Sequence, residues 1–262
     1  MCRIKKAEYI GGSFMEKDIL NKGLKNEEDG NDNNCERTSE AVDKMKDIKE
    51  FGNTAAANPN RDIVVLSIIG QIEGHSVLPP QTKATKYEHI IPQLIDIEQN
   101  DNVKGVLIVL NTVGGDVEAG LAIAEMINSM SKPTVSIVIG GGHSIGVPLA
   151  TSSDFSFITP SATMIVHPVR MNGFVIGIAQ TFEYFKKMQE RINDFIVRTS
   201  NINEDTLEKF MLQTNDLLND VGTMLIGKQA VECGLIDEVG GISEAINKLR
   251  DLINEGKSND KK

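Results

Sequence analysis

The fold of this 262-residue chain is decided by residues 106–115, which read Val106-Leu-Ile-Val-Leu-Asn-Thr-Val-Gly-Gly115. The five aliphatic residues at its start predict a short strand buried on both faces, because a strand with one wet face alternates apolar and polar residues. A glycine pair ends the strand, and residues 116–130 then carry Ile123, Ile127 and Met130 at helical spacing. A buried strand followed by a helix is the repeating unit of a parallel sheet.

The same alternation of short apolar runs and longer amphipathic segments continues on both sides of that stretch. It predicts an α/β fold with a mainly parallel sheet flanked by helices. Pro92 falls inside one helical segment, so we expect a kink or a shifted start there. The predicted strands are 63–69, 134–139, 155–158 and 164–166, and the predicted helices are 86–99, one that starts near Ser144, 178–198, and one that Asn203 caps.

Composition and charge exclude several classes of protein. The net charge of −10 argues against nonspecific nucleic-acid binding, because phosphate contacts need clustered lysine and arginine. No stretch approaches the roughly 18 apolar residues of a membrane span, and the basic residues at the N-terminus precede no apolar block, so we expect neither a span nor a signal peptide. The three cysteines form no CxxC pair and indicate neither a disulfide framework nor a zinc site. We therefore expect a cytoplasmic protein without a metal or cofactor.

The chain divides into three parts by composition. Residues 1–58 carry many charges and few large apolar side chains, and they include Asn26-Glu-Glu-Asp-Gly-Asn-Asp-Asn-Asn34. Such a segment buries too little apolar surface to offset the entropy lost on ordering, so we predict a disordered charged tail. Residues 59–250 contain the strand and helix pattern and are predicted to form the folded domain. Residues 251–262 are predicted to be a frayed C-terminal tail.

Glycines follow two of the predicted strands, as Gly114-Gly115 and within Gly140–Gly146. Ligands of parallel α/β sheets bind beyond the carboxyl ends of strands, so both turns point to one site. The second turn lacks the residues of a dinucleotide loop or a phosphate-binding loop and contains instead Gly142-His-Ser-Ile-Gly146. A GxSxG turn between a strand and a helix exposes a serine hydroxyl at the sheet edge. Ser144 is therefore either a nucleophile or only the N-cap of the next helix.

A nucleophilic serine needs a base, and His167 is the best placed of the four histidines. It directly follows the predicted strand 164–166, so it also lies at the carboxyl end of a strand. A lone histidine in that position is often structural, and this alternative stays open. A carboxylate that orients the histidine would have to come later in the chain. Asp216 and Asp220 are the candidates, and either could equally be an ordinary surface carboxylate.

Four segments within residues 60–245 share a pattern with one known family. They read Asn111-Thr-Val-Gly-Gly-Asp-Val117, Gly140-Gly-Gly-His-Ser-Ile-Gly146, Pro160-Ser-Ala-Thr-Met-Ile-Val-His-Pro168 and Gln229-Ala-Val-Glu-Cys-Gly-Leu-Ile-Asp-Glu238. In this order they resemble the Asn-Ser-Pro-Gly-Gly-Ser-Val, Gly-x-Ala-Ala-Ser-Met-Gly, Pro-Asn-Ala-x-x-Met-Ile-His-Gln-Pro and Glu-Ala-x-x-Tyr-Gly-Leu-Ile-Asp segments of the Clp protease proteolytic subunits. The chain looks most like a divergent branch of that family of serine peptidases.

The resemblance implies a crotonase-like fold with a Ser-His-Asp site and a protruding helix–strand handle, formed by residues 174–176 and the helix 178–198. Ser144 would be the nucleophile and His167 the general base. Asp220 is preferred to Asp216 as the acid because it directly precedes a glycine-containing turn. The departures from the family pattern are the position of the acid, the missing glutamine between histidine and proline, and a negative charge in place of a serine beside the peptide groove. The backbone N–H groups of Gly115 and Ile145 would form the oxyanion hole, and the groove would be lined by Gly114, Asp116 and Val117.

By resemblance, the activity is that of an endopeptidase that cleaves unfolded polypeptides inside a homo-oligomer of stacked rings. A Clp-type ATPase is the corresponding partner, although no docking loop for one is identifiable in residues 1–62. Three alternatives stay open: a ClpP-like scaffold that has lost activity, a signal-peptide peptidase of the Ser–Lys class, and an acyl-CoA enzyme of the crotonase fold. The Ser–Lys class lacks a base like His167 and usually carries a membrane anchor.

Overall fold

A computed structural model of the chain describes residues 62–170, 177–214 and 221–256. Within these ranges eight strands form one sheet, in the order β2-β1-β3-β4-β5-β8, and β6 pairs with both β4 and β7. The pairing is parallel throughout except between β6 and β7. The strands are β1 (Ile63–Glu73), β2 (Ala84–Lys86), β3 (Gly105–Gly115), β4 (Thr134–His143), β5 (Phe155–Ile158), β6 (Thr163–Val166), β7 (Thr223–Ile226) and β8 (Glu238–Val239).

Helices connect most of the strands, as parallel pairing requires. In the described ranges they are α1 (Tyr87–Gln99), α2 (Val117–Ser129), α3 (Gly146–Thr151), α4 (Ile178–Thr199), α5 (Glu204–Leu212), α6 (Lys228–Glu232) and α7 (Ile242–Glu255). The predicted α/β fold with a mainly parallel sheet is therefore confirmed. Asn203 caps α5 as predicted, since its side-chain oxygen accepts the N–H of Thr206 at 2.8 Å. None of these helices is both long and apolar enough to cross a lipid bilayer.

Both faces of the central strands are covered, which explains their uninterrupted aliphatic runs. On one face, Leu107 and Ile137 pack with Ala245 and Leu249 of α7. On the other face, the neighbouring strand residue Ile108 belongs to a larger cluster that contains residues of helices α1 to α6. A three-layer arrangement of helix, sheet and helices results, in which the carboxyl ends of β3, β4 and β6 lie close together.

Strands β3 and β4 run further than the apolar pattern predicts, because backbone pairing continues through their glycines. Thr112 of β3 pairs with Gly142 of β4, and Gly115 pairs with Ile72 of β1. Helix α3 begins at Gly146, two residues after Ser144 and close to where the sequence predicts its start. Pro92 lies inside α1, which begins one residue later than predicted and continues through the proline.

One face of helix α4 is buried along its C-terminal half, whereas its N-terminal half is largely exposed. Met188, Ile192 and Phe195 are buried in the core, whereas Phe182 is 66% exposed in the single chain. The sequence predicts one continuous apolar stripe, and only part of it packs within the chain. The stripe consists of Phe182, Phe185, Met188, Ile192 and Phe195. The strand part of the predicted handle, residues 174–176, lies outside the described residues.

The C-terminal boundary of the domain lies further along the chain than the predicted residue 250. Helix α7 continues to Glu255, and its residues Leu252 and Ile253 pack against the cluster under the sheet. Residues 251–255 are therefore part of the folded domain and not of a frayed tail. The predicted tail of residues 1–58 lies outside the described residues.

Candidate active site

A pocket of about 170 Å³ opens where β3, β4 and β6 end, and it brings together residues that are far apart in the sequence. Ser144 and His167 both line it. Gly115 and Ile145, whose N–H groups were predicted to face an oxyanion, line it as well, and so does Val117. Five of the residues predicted from the sequence therefore meet in one cavity.

Ser144 sits in a left-handed turn between β4 and α3. Its φ of 58° is the only positive value at a non-glycine residue in the described part of the chain, and a side chain in this region costs about 1–2 kcal/mol. Its N–H donates to the carbonyl of Ile165 at 2.8 Å, and its own carbonyl accepts from the N–H of Val147 at 2.9 Å. Backbone bonds thus hold the turn on both sides. Ile145 is the N-cap of α3 and makes no side-chain cap bond, so capping by Ser144 is not what the structure contains.

The backbone of Gly114 lies directly against Ser144. A β-carbon at position 114 would stand 2.7 Å from the Cβ and 3.2 Å from the Oγ of Ser144. The φ of Gly114 is 90°, a conformation that glycine adopts without strain. Thr112 holds this strand end, because its hydroxyl accepts the N–H of Gly114 at 3.0 Å and donates to the carbonyl of Gly70 at 2.6 Å.

His167 follows β6, and its ring is held by the next residue. Its Nδ1 lies 2.7 Å from the carbonyl oxygen of Pro168. Because a carbonyl oxygen can only accept, Nδ1 carries a proton, and in the neutral ring the lone pair is on Nε2. Gly222 packs against the same histidine, since a β-carbon there would lie 2.8 Å from the Cβ of His167. The candidate acids Asp216 and Asp220 lie outside the described residues.

His143 precedes the candidate nucleophile but takes no part in lining the pocket. Its Nε2 forms a 2.8 Å hydrogen bond with the hydroxyl of Thr163. Burial lowers the pKa of His143, and the positive charge that His167 can carry lowers it further. The imidazole of His143 is therefore hydrogen-bonded to Thr163 of β6 and lies away from the pocket, as expected for a side chain adjacent to a tight turn.

Asp116 has a structural role that the sequence analysis did not assign. Its Oδ1 accepts the N–H of Ala119 at 2.9 Å and caps α2, while its own N–H donates to the carbonyl of Ile72 at 3.0 Å. The carboxylate expected beside the groove is therefore bound to the first turn of α2.

Glu118, in the same first turn of α2, forms a salt bridge with Arg191 of α4. Both carboxylate oxygens take part, at 2.7 and 3.1 Å from the guanidinium nitrogens. This pair lowers the pKa of Glu118 and raises that of Arg191.

Apolar side chains from several helices form most of the remaining pocket wall. Arg170 is the charged residue at this wall, and its guanidinium donates to the carbonyl of Val221 at 3.0 Å. The space beside Ser144 is therefore suited to an apolar group of a bound molecule. The apolar residues at the pocket wall are Val117, Ile145, Val147, Val166, Pro168, Val169, Ile192, Ile196 and Met211.

Sequence reasoning missed two polar residues on the buried side of α4, Gln189 and Asn193. They are four residues apart and interrupt an otherwise apolar stripe, and that interruption is the signal that could have identified them. In the described ranges, no group of three or more histidine, cysteine or acidic side chains is placed to hold a metal ion.

The chain is similar in sequence to a known family and to several of its curated members. The family model described as Clp protease matches residues 61–243. The chain is 55% identical to the translocation-enhancing protein TepA of Halalkalibacterium halodurans, over 80% of this chain and 82% of that protein. It is 31% identical to the ATP-dependent Clp protease proteolytic subunit of Lactococcus lactis subsp. cremoris, over 57% of this chain and 74% of the relative. A Clp protease proteolytic subunit 1 of Protochlamydia amoebophila is 30% identical over 57% of this chain and 72% of its own length.

Proposed function

This chain belongs to the Clp protease family, and from that membership we propose that it is a serine endopeptidase that hydrolyses peptide bonds of unfolded polypeptides. The observation that supports this best is the meeting of Ser144, in its left-handed turn, with His167 in one pocket. A strained turn that projects a serine at the end of a parallel strand is typical of nucleophilic serines.

In the proposed reaction, the Oγ of Ser144 attacks the scissile carbonyl while the Nε2 of His167 takes its proton. The N–H groups of Gly115 and Ile145 stabilise the negative charge of the tetrahedral intermediate. Each such donor is typically worth about 3–4 kcal/mol. His167 then returns the proton to the leaving amine, and water repeats the sequence on the acyl-enzyme. We assign the carboxylate partner of the imidazole to Asp220 in preference to Asp216. In this assignment the carboxylate stabilises the charged ring and shares the Nδ1–H with the carbonyl of Pro168.

We further propose how the substrate lies in the site. An extended peptide would run along the end of β3, beside Gly114, Asp116 and Val117, and would insert one side chain into the pocket. Because apolar residues dominate the pocket wall, a large apolar side chain would be favoured before the cleaved bond. A series of peptide substrates with leucine, aspartate or lysine at that position tests this preference.

The proposed working form is a cytoplasmic homo-oligomer of stacked rings, with a Clp-type ATPase as the candidate partner. The ATP-dependent subunits among the relatives carry that dependence in their names. The exposed N-terminal half of α4 supplies the apolar surface through which copies would associate. Enclosed sites would meet only unfolded chains, so the nucleophile would not degrade folded proteins.

Labelling with a fluorophosphonate tests the proposal directly. We expect the wild-type protein to be labelled at Ser144, Ser144→Ala to be unlabelled, and His167→Gln to react far more slowly. Ser129→Ala is the matched control, because Ser129 is at the end of α2 and outside the pocket, and it should react like the wild type. A folded wild-type protein that neither labels nor cleaves peptide esters would contradict the proposal and favour an inactive scaffold. Hydrolysis of acyl-CoA thioesters in its place would favour a crotonase-type enzyme.

A further inference from the structure

The peptide bond between Pro168 and Val169 is held from both sides. Its carbonyl oxygen accepts the Nδ1–H of His167 at 2.7 Å. Its N–H, on the Val169 side, donates to the side-chain Oε1 of Gln189 at 2.7 Å. Both groups belong to one planar unit, so a bond that fixes the N–H also fixes the direction of the carbonyl.

The orientation of the Gln189 amide is itself determined by its other contacts. Its Nε2 donates to the Oδ1 of Asn193 at 2.8 Å and approaches the sulfur of Met211 at 3.1 Å. The Val169 N–H requires an acceptor, whereas the Asn193 Oδ1 and the Met211 sulfur require a donor. The amide oxygen of Gln189 must therefore face Val169, and its nitrogen must face the other two groups. Asn193 is buried, with 7% of its surface exposed, so it offers a rigid anchor one helical turn along α4.

From these contacts we infer that Gln189 is a positioning residue for His167: it holds the Pro168–Val169 peptide so that the Pro168 carbonyl keeps the histidine proton on Nδ1 and the Nε2 lone pair available to Ser144. The inference rests on the proposed function for its kinetic consequence, but the contact itself does not depend on activity. Hydrogen bonds in series polarise one another, so donation of the Val169 N–H to Gln189 also makes the Pro168 carbonyl a better acceptor.

Two substitutions separate this role from a general effect on folding. Gln189→Met keeps the length of the side chain and removes the acceptor for the Val169 N–H. Gln189→Glu keeps an acceptor oxygen and adds a negative charge. The bond from Nδ1 to the Pro168 carbonyl is stronger when the imidazole is charged, so loosening it should move the titration midpoint of His167 to lower pH. Glutamate should move the midpoint to higher pH, because a nearby negative charge favours the imidazolium.

The expected kinetic result is a fall in kcat of about threefold to tenfold for Gln189→Met, the range for one neutral hydrogen bond, with little change in KM. The acid limb of its pH–rate profile should move to lower pH, and that of Gln189→Glu to higher pH. The midpoint pH of a limb does not depend on the fraction of the protein that is folded, so a partial loss of folding would lower the rate without moving the midpoint. Gln99→Met, at the exposed end of α1, is the matched control and should behave like the wild type.

The midpoint of His167 can also be measured without turnover, by NMR of protein carrying ¹³C-labelled histidine, with the signal assigned through His167→Gln. If the wild type proves inactive, the proposed function fails, while opposite shifts of this midpoint in the two variants still support the role of Gln189. Unchanged midpoints in both variants of an active enzyme would overturn the inference and leave the proposed function intact.

Discussion

Gly114 and Ser144 approach so closely that a single added methyl group at position 114 would stand 2.7 Å from the Cβ of the serine. Real β-carbons do not tolerate that distance, so either the end of β3 or the turn at Ser144 would have to move. The proposed nucleophile is therefore positioned by the absence of a side chain on the neighbouring strand.

Gly114→Ala should consequently reduce activity more than stability. Displacement of a reacting atom by about 1 Å can lower a rate by about 10²-fold, and we expect a loss of that order in the rate of fluorophosphonate labelling. The control is Gly256→Ala at the end of α7. Gly256 also has a positive φ, of 71°, but no atom lies within 4 Å of its added β-carbon. Equal labelling rates in the two variants would show that the contact with Ser144 does not matter.

The backbone of Ser144 allows a test that separates its conformation from its chemistry. Both Ser144→Ala and Ser144→Gly remove the hydroxyl and should abolish labelling. At a φ of 58°, however, glycine is unstrained and alanine is not, so the glycine variant should be more stable by about 1 kcal/mol. For a domain of this size that difference corresponds to about 2–4 °C in Tm. A glycine variant that melts below the alanine variant would contradict the left-handed turn.

The apolar runs were sufficient to predict the central strands and the fold class, but not where the strands end. Glycines usually interrupt strands, yet Gly142 and Gly115 continue β4 and β3 because neighbouring backbones pair with them. That pairing is a long-range property with no local signal. The short strands β2, β7 and β8 were missed for the same reason, since each has few residues and depends on its neighbour for hydrogen bonds.

For the site, the sequence predicted five of the residues that meet in the pocket but not the contacts that hold them. Ser144 and His167 follow strands with recognisable patterns, and parallel strands present their carboxyl ends at one edge. The bond between Gln189 and the Val169 N–H depends on how α4 crosses the chain after β6, which residue spacing does not encode. The capping role of Asp116 likewise depends on the exact residue at which α2 begins.

The two candidate acids can be compared by matched substitutions. We expect Asp220→Asn to lose far more activity than Asp216→Asn, because only the true partner of the imidazole stabilises its charged form. In serine proteases, replacement of that carboxylate by an amide lowers kcat by about 10⁴-fold. Steady-state hydrolysis of a peptide ester measures both variants. The reverse ranking would transfer the role to Asp216, and two fully active variants would leave the site without a carboxylate partner from this segment.

The stability of the fold should depend on pH through His143. Its pKa is lowered in the folded state, so below its ordinary value of about 6.5 the unfolded chain binds a proton more readily than the folded chain does. Stability should therefore fall as the pH drops below that value. Replacing the side chain by asparagine removes this contribution, so His143→Asn should lose less Tm than the wild type between pH 7 and pH 5. Parallel Tm curves for the two proteins would rule out the effect.

The last prediction concerns assembly through α4. Along its N-terminal half, Ile178 is 82% exposed and Phe182 66% exposed in the single chain, and the ring of Tyr184 stacks edge-on against Phe185. Burial of apolar surface contributes about 25 cal/mol per Å² of stabilising free energy. Association with a second copy that covers this surface would therefore be favourable. We therefore expect a closed homo-oligomer with cyclic or dihedral symmetry.

Phe182→Asp and Phe185→Asp should each break this assembly into smaller species with reduced activity, because each would place a charge within the buried contact. Val77→Asp is the matched control: Val77 is 83% exposed, lies between β1 and β2 and is remote in sequence from α4, so it should leave the assembly unchanged. Light scattering at micromolar concentration measures the mass of each protein, and labelling of the separated species reports the state of Ser144. A wild-type protein that is a stable, fully active monomer under these conditions would show that the exposed half of α4 is not an assembly surface.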